Sequence, residues 1–362
     1  MGIVFDMKLS IIVPVYNMAS GNKLNFCLDS LVNQTLRTKS KSYADGSYDD
    51  IPYEIIAVDD CSTDNSLAIL RGYEAKYPDF FQVVQTPENL HQGGAKNIGM
   101  SLARGEWIGF IDADDWVVPD FYERLLTKAK KTGADMVGCD YCLVDKHTFE
   151  PTKPEHNNSI EQTGILDEEK YKLLMLDCGS LVVKIYRREI VIDNPGRFPE
   201  HIFYEDNALC KSWMLRAKHF EYIDEPLYFY YQHNTSTVHT ITVERMEDRM
   251  EAGRVMIAEA KRGGYFDQYK DELEYSFAVL FYMNTLMSYM QVIKPKNSEW
   301  IQKLGDEMKE YFPDFLSNKY FLERVHPEEQ KWARMQQKNT RSFILYYSLK
   351  ATYRNIRKII GI

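Results

Sequence analysis

Three aspartates fall within four residues at Asp112-Ala113-Asp114-Asp115, directly behind the apolar run Trp107-Ile108-Gly109-Phe110-Ile111. Carboxylates packed this closely raise one another's pKa and repel unless positive charge sits among them. A hard divalent cation held by oxygen ligands resolves that conflict. An acidic turn in which Asp caps the next helix is the plainer alternative. Two further acidic pairs stand out. Asp59-Asp60 closes the apolar run Glu54-Ile55-Ile56-Ala57-Val58, and Glu205-Asp206 leads into an apolar helix carrying Ala208, Leu209, Trp213 and Leu215. Helix capping and favourable dipole charge explain an isolated Glu-Asp pair without any chemistry.

The elements that would position these groups follow from periodicity. Leu9 to Val13 is a short continuous apolar run closed by Pro14, the pattern of a strand buried on both faces. Further strands are expected at Glu54–Val58, Phe80–Gln85, Trp107–Ile111 and Asp135–Cys139. Between them lie helices at about Asn22–Leu36, from Ser62-Thr63-Asp64-Asn65-Ser66 to Tyr77, from Gly93-Gly94 to about Arg104, and from Pro119 onward. Residues 37–50 read as a polar surface insertion. Strands alternating with helices of this length predict an α/β fold with a mostly parallel sheet and right-handed crossovers. Ligands of such sheets bind beyond the carboxyl ends of the strands. Three strands end in Pro14, in Asp59-Asp60 and in Asp112 to Asp115, so one sheet edge would gather Pro14, Tyr16 and several carboxylates. Gly93-Gly94-Ala95-Lys96-Asn97-Ile98-Gly99 matches neither a P-loop nor the dinucleotide spacing G-x-G-x-x-G.

The 362 residues suffice for one large domain and an appended smaller one. A formal net charge of −9 argues against a nucleic-acid-binding surface. The six cysteines are scattered. The close pair Cys139 and Cys142 falls on a strand, which suits buried thiols in a reducing compartment and neither a redox motif nor a zinc knuckle. The first apolar run reads as a strand, not a secretory signal. Tyr275 to Ile293 lacks charge but carries Ser276, Asn284, Thr285, Ser288 and Gln291, so a buried helix is expected there in preference to a membrane span. After the aromatic strand Leu227–Tyr231, from about Val243, the pattern is helical. Residues 338–362 carry Lys338, Arg341, Lys350, Arg354, Arg357 and Lys358 and no acid, with Tyr346, Leu349, Tyr353, Ile356 and Ile360 stepping along one face. A basic amphipathic helix of this kind suits an anionic membrane surface, in preference to a solvated terminal helix packed on its own domain.

Taken in order, Ser10-Ile-Ile-Val-Pro-Val-Tyr16-Asn17, Glu54-Ile-Ile-Ala-Val-Asp59-Asp60-Cys-Ser-Thr-Asp64, Gly94-Ala-Lys96-Asn97-Ile-Gly99 and Phe110-Ile-Asp112-Ala-Asp114-Asp115 resemble the family 2, GT-A fold glycosyltransferases of bacterial cell-surface polysaccharide synthesis. Tyr204-Glu205-Asp206-Asn207 and Tyr231-Gln-His233-Asn-Thr-Ser236 extend the match. The resemblance covers residues 7–240 as a catalytic domain and leaves 241–362 as a helical region. It implies that Val13, Pro14, Tyr16 and Asp59 or Asp60 contact the uracil of a UDP-sugar, and that Asp112 contacts the ribose. It further implies that Asp114 holds Mn²⁺ or Mg²⁺ on the diphosphate, that Asp206 is the catalytic base, and that His233 and Ser236 lie near the diphosphate. Lys96 stands where the family commonly has Arg, keeping the charge of a donor-site residue but losing its planar fork. Cys61 stands where Gly is common.

The implied activity is that of a metal-dependent inverting hexosyl- or N-acetylhexosaminyltransferase acting on a glycan or lipid-linked hydroxyl. The enzyme would be cytoplasmic, with peripheral membrane contact through the tail. A nucleotidyltransferase would use similar carboxylates but carries a glycine-rich, Arg-containing loop that Leu9–Asn17 lacks. A catalytically inactive nucleotide-sugar-binding protein is the non-enzymatic alternative. Sugar, acceptor and oligomeric state have no signature in the chain.

Overall fold

The computed structural model describes residues 7–38, 53–193, 196–232 and 241–359. The chain forms two compact units, Met1–Ser236 and Thr237–Ile362. In the first, the strands are β1 (Met7–Val15), β2 (Tyr53–Asp59), β3 (Phe81–Gln85), β4 (Gly105–Phe110), β5 (Trp116–Val117), β6 (Met136–Val144), β7 (Pro154–Glu155), β8 (Gly164–Ile165), β9 (Lys184–Arg187) and β10 (His219–Tyr231). The helices are α1 (Lys23–Val32), α2 (Thr35–Thr38), α3 (Ser66–Lys76), α4 (His91–Leu102), α5 (Phe121–Thr132), α6 (Glu168–Leu176), α7 (Arg188–Val191) and α8 (Glu205–Met214).

The sheet order is β3-β2-β1-β4-β9-β6-β10-β5, with β7 on β6 and β8 on β10. The first four strands are parallel, in keeping with the α/β pattern. Leu9, Ile11, Ile12 and Val13 on β1 are wholly buried, as are Ile55, Ile56, Ala57 and Val58 on β2. Continuous apolar runs are needed here because helices cover both sheet faces. Within the mostly parallel sheet that was expected, β9 inserts antiparallel between β4 and β6. Four residues are too few for a periodic signal, and β9 exists because its neighbours complete its hydrogen bonds. Cys139 and Cys142 both lie buried on β6 as free thiols.

The second unit is helical: α9 (Val243–Arg262), α10 (Lys270–Phe277), a π-helical stretch Ala278–Met283, α11 (Asn284–Val292), α12 (Ser298–Tyr311), α13 (Lys319–Arg324), α14 (Pro327–Lys338) and α15 (Thr340–Ile359). The uncharged segment 275–293 runs through three of these pieces with Phe277, Phe281, Tyr282 and Leu286 fully buried, which is the expected core helix. No described helix is long and apolar enough to cross a membrane. On α15, Phe343 is buried while Leu345, Leu349 and Tyr353 are exposed at four-residue spacing. Tyr346 is half-buried, and Lys331 Nζ donates to its hydroxyl at 3.0 Å.

Candidate active site

The carboxyl edge of the sheet is built by two loops stitched together. Beyond β1, Asn17 takes a left-handed backbone (φ 53°). Its Oδ1 accepts from Thr63 N (2.8 Å) and Asp64 N (3.3 Å), while its own N donates to Ser62 Oγ (3.0 Å). Met18 N donates to Ser66 Oγ (2.7 Å) and Ala19 N to Asp64 Oδ2 (2.9 Å). The side chains of residues 62–66, expected to cap the next helix, are therefore largely committed to this loop; the N-cap residue Asn65 makes no side-chain cap hydrogen bond, and Ser66 N donates to Asp64 Oδ1 (2.9 Å). Cys61 has φ 58°. That conformation costs glycine nothing sterically, which accounts for a position where glycine is common. Val13 and Pro14 are buried in β1, and Tyr16 is the first exposed side chain beyond it.

The two aspartates ending β2 differ in role. Asp60 Oδ1 accepts from Leu90 N (2.8 Å) and Thr86 Oγ1 (3.1 Å), so it anchors the approach to α4; burial pushes its carboxyl up despite these bonds. Asp59 Oδ2 accepts from Ser62 N (3.2 Å) and Gln85 Nε2 (3.3 Å), but its Oδ1 is buried with no partner. Buried polar atoms are almost always satisfied. An orphaned buried acceptor is a place for a donor group on a ligand.

Asp112 shows the same sign, with Oδ1 buried and unpartnered. The turn closes through Asp115 N to Asp112 O at 3.1 Å. Burial pushes Asp112 up to about 7; Lys96 opposes the shift while Asp114, Glu205 and Asp206 add to it. Asp115 is fully occupied inside the protein: Tyr228 Oη donates to its Oδ2 (2.6 Å) and Tyr231 N to its Oδ1 (2.8 Å). It ties the aspartate turn to β10, a structural task that the residue string does not reveal. Asp114 is half-buried beside it. Hard oxygen donors with excess negative charge fit Mn²⁺ or Mg²⁺.

Asp206 enters from α8. That helix is seated by fully buried Trp213, whose ring lies 5.9 Å from Phe110, 5.2 Å from Phe198 and 5.6 Å from Tyr186. Tyr204, just before the helix, has φ 68°. Burial and the neighbouring Glu205 carboxylate push Asp206 above the ordinary range; Lys96 and the Asn207 amides act the other way. Lys96 is buried, with Nζ 2.5 Å from Glu205 Oε1 and 3.3 Å from Gln92 Oε1. Burial alone would lower its pKa, yet the carboxylates of Glu205, Asp112 and Asp206 hold it above the ordinary lysine range. The Glu205 partnership was not foreseen, because residues 109 apart share no periodicity. Glycine at 93 permits it: a Cβ there would sit 2.1 Å from Pro199 O and 3.2 Å from Glu205 Cβ.

The structure thus brings Lys96, Asp112, Asp114 and Asp206 into one electrostatic group. His233 and Ser236 lie outside the described residues. Away from this turn in sequence, Asp140, His156 and Asp224 also place potential metal-ligand atoms within 4.8 Å of one another.

The glycosyl transferase family 2 model matches residues 10–193, half of the chain. The chain belongs to glycosyl transferase family 2. Relatives of this family 2 member include the uncharacterized glycosyltransferase YibD of Escherichia coli K12, 31% identical over 63% of this chain and 62% of that protein. The putative glycosyltransferase EpsH of Bacillus subtilis 168 is 31% identical over 75% of this chain and 74% of its own length. Staphylococcus aureus Mu50 poly(ribitol-phosphate) beta-N-acetylglucosaminyltransferase TarS is 25% identical over 83% of this chain, which spans 49% of TarS. A crystal structure of S. aureus TarS 1–349 with UDP-GlcNAc superposes with a TM-score of 0.66 at 21% identity, covering 96% of this chain and 92% of that one. The GT-A fold is shared.

Proposed function

We propose that this glycosyltransferase moves a sugar from a UDP-sugar to a hydroxyl of a glycan or lipid-linked acceptor in cell-surface polysaccharide synthesis, with inversion and with a divalent metal. The observation that carries the reading is the orphaned buried oxygen of Asp112 in the same charged group as Asp206. A donor-side acceptor and a basic carboxylate stand together where the sheet's strands end. TarS, solved with UDP-GlcNAc and named a beta-transferase, supports a UDP-sugar donor and a β-linked product.

On this reading Asp59, with its free Oδ1, and Tyr16 receive the uracil, beside Val13, Pro14 and Asp60. Asp112 receives a ribose hydroxyl and Asp114 holds the metal, with His233 and Ser236 near the diphosphate. The metal, when bound, offsets charge on the departing diphosphate. Asp206 accepts the proton of the acceptor hydroxyl as its oxygen bonds to the anomeric carbon. The bond from that carbon to the diphosphate oxygen breaks, and UDP leaves with the electron pair. A single in-line displacement inverts the anomeric centre. Raising the Asp206 carboxyl above its ordinary range makes it a stronger base.

The exposed Leu345, Leu349 and Tyr353 of α15, in a segment whose charges are all basic, supply the face by which the enzyme would rest on an anionic inner membrane surface and meet a lipid-linked acceptor. Co-sedimentation with phosphatidylglycerol vesicles but not phosphatidylcholine vesicles is expected, and loss of that difference in Leu345→Asp/Leu349→Asp is its check. For the activity, UDP-glucose and UDP-N-acetylglucosamine are offered with glycan acceptors in Mn²⁺ and the product anomer is read by NMR. An α-linked product rejects the mechanism.

A further inference from the structure

The Lys96–Glu205 pair is charged and almost wholly buried, with side chains 3% and 6% exposed. An ion pair held out of water rarely adds stability over apolar groups of the same volume, so its place at the start of α8 is informative. Glu205 is the first residue of that helix and Asp206 the second. Lys96 reaches Glu205 from α4, which lies close because position 93 has no side chain. Asn97, next in α4, fixes the preceding segment from both sides: its Nδ2 donates to Phe198 O (2.9 Å), and Phe198 N donates to its Oδ1 (3.0 Å). The ammonium also faces the Phe198 ring at 5.6 Å.

We propose that Lys96 and Glu205 form a positioning pair for Asp206, fixing the first turn of α8 and placing a positive charge beside its carboxylates. The proposal rests on Asp206 being the base. It assigns Lys96 to the base and not to the nucleotide. Among the described residues, the charged and titratable groups around Asp206 are Glu205 and Cys210 on its own helix, Lys96 from α4, Asp112 from the turn after β4 and Tyr186 from β9. Among these Lys96 alone carries positive charge. Its removal leaves Asp206 facing Glu205 and Asp112 uncompensated, and Asp206 then ionises at higher pH. Removal of the Glu205 charge acts in the opposite sense.

The test is the pH dependence of kcat/KM for the full chain, measured by UDP release from the UDP-sugar that wild type turns over, with UDP affinity followed in parallel by thermal shift. The acid limb is expected to move up by about 1–3 pH units in Lys96→Met and down in Glu205→Gln. Lys96→Arg should return the limb to its wild-type position, and UDP affinity should be unchanged in all three. If Lys96→Met does not fold, Glu205→Gln and the paired Lys96→Gln/Glu205→Gln carry the test, the pair restoring the limb toward wild type. Unmoved limbs, or a loss of UDP affinity that accounts for the whole loss in kcat/KM, overturn the positioning role. Asp206→Asn separates the two levels. Full turnover in that variant sinks the base assignment, whereas an inactive Asp206→Asn with unmoved limbs in the other variants sinks the positioning pair alone.

Discussion

Lys96 and Lys184 are both buried in the first unit, and they have opposite fates. Lys96 sits among the carboxylates of Glu205, Asp112 and Asp206 and is held above the usual lysine range. Lys184, at the start of β9, donates to the backbone oxygens of Cys178 (3.0 Å) and Ser180 (2.8 Å), and burial pulls it down to about 8. The desolvation is the same in kind; the partners differ. Carbonyl dipoles satisfy hydrogen bonds but do not repay the loss of hydration of a full charge, whereas carboxylates do. A lysine that organises charge marks the site, and a lysine that ties down a loop marks the scaffold.

That contrast is broken most forcefully at the carboxylates Lys96 serves. Asp206→Asn should cut transfer by about 10²–10⁴-fold, the usual contribution of a positioned base, with UDP binding retained in a thermal-shift assay; near-normal turnover would refute the assignment. Chelation with EDTA should abolish transfer and Mn²⁺ or Mg²⁺ restore it, so full activity in chelator removes Asp114 from metal duty. Next is stability. Lys96→Met strands Glu205 as a buried unpaired carboxylate and should cost about 3–5 kcal/mol in chemical denaturation, and a cost below 1 kcal/mol would show that the pair is not held out of water.

Lys184 provides the opposite sign. Its folded-state pKa of about 8 lies below that of an unfolded lysine, so the unfolded chain binds more protons between about pH 8 and about pH 10.4. Stability of the wild type should therefore rise across that window, and Lys184→Met should remove the rise while leaving kcat unchanged. The smallest effect sits at the aspartate turn. Tyr228→Phe leaves Asp115 with Tyr231 N as its described hydrogen-bond donor and should cost about 1–3 kcal/mol, with no change in the metal dependence of transfer.

A second contrast sharpens the first. Asp140 Oδ1 accepts from Asn157 N (3.0 Å) and from the Tyr222 hydroxyl, and its Oδ2 lies 2.9 Å from His156 Nδ1. That trio has the spacing of metal ligands, but its buried member is already satisfied by protein groups. Asp59 and Asp112 each retain a buried oxygen without a partner. Proximity of carboxylates is thus a weaker sign of a ligand site than an acceptor the fold has left open.

Much of the architecture was legible because it is local. The apolar runs at residues 9–13, 54–58 and 107–111 have the pattern of strands covered on both faces, and the second and third hand their carboxylates to the same sheet edge. The helix through residues 275–293 was legible because its polar side chains rule out lipid. What escaped depended on partners far away in the chain. β9 is defined by β4 and β6, Asp115 by Tyr228 and Tyr231, and Lys96 by Glu205.

The chain by itself determined which chemistry is available: three carboxylate clusters, a parallel sheet to present them, and a basic terminal helix. Tertiary structure decided how the carboxylates divide their work. Asp60 and Asp115 are consumed by hydrogen bonds, Asp59 and Asp112 are left open, and Asp206 is raised beside a buried cation. No residue string contains that division, because a carboxylate's role is set by burial and by the groups that long-range folding brings to it.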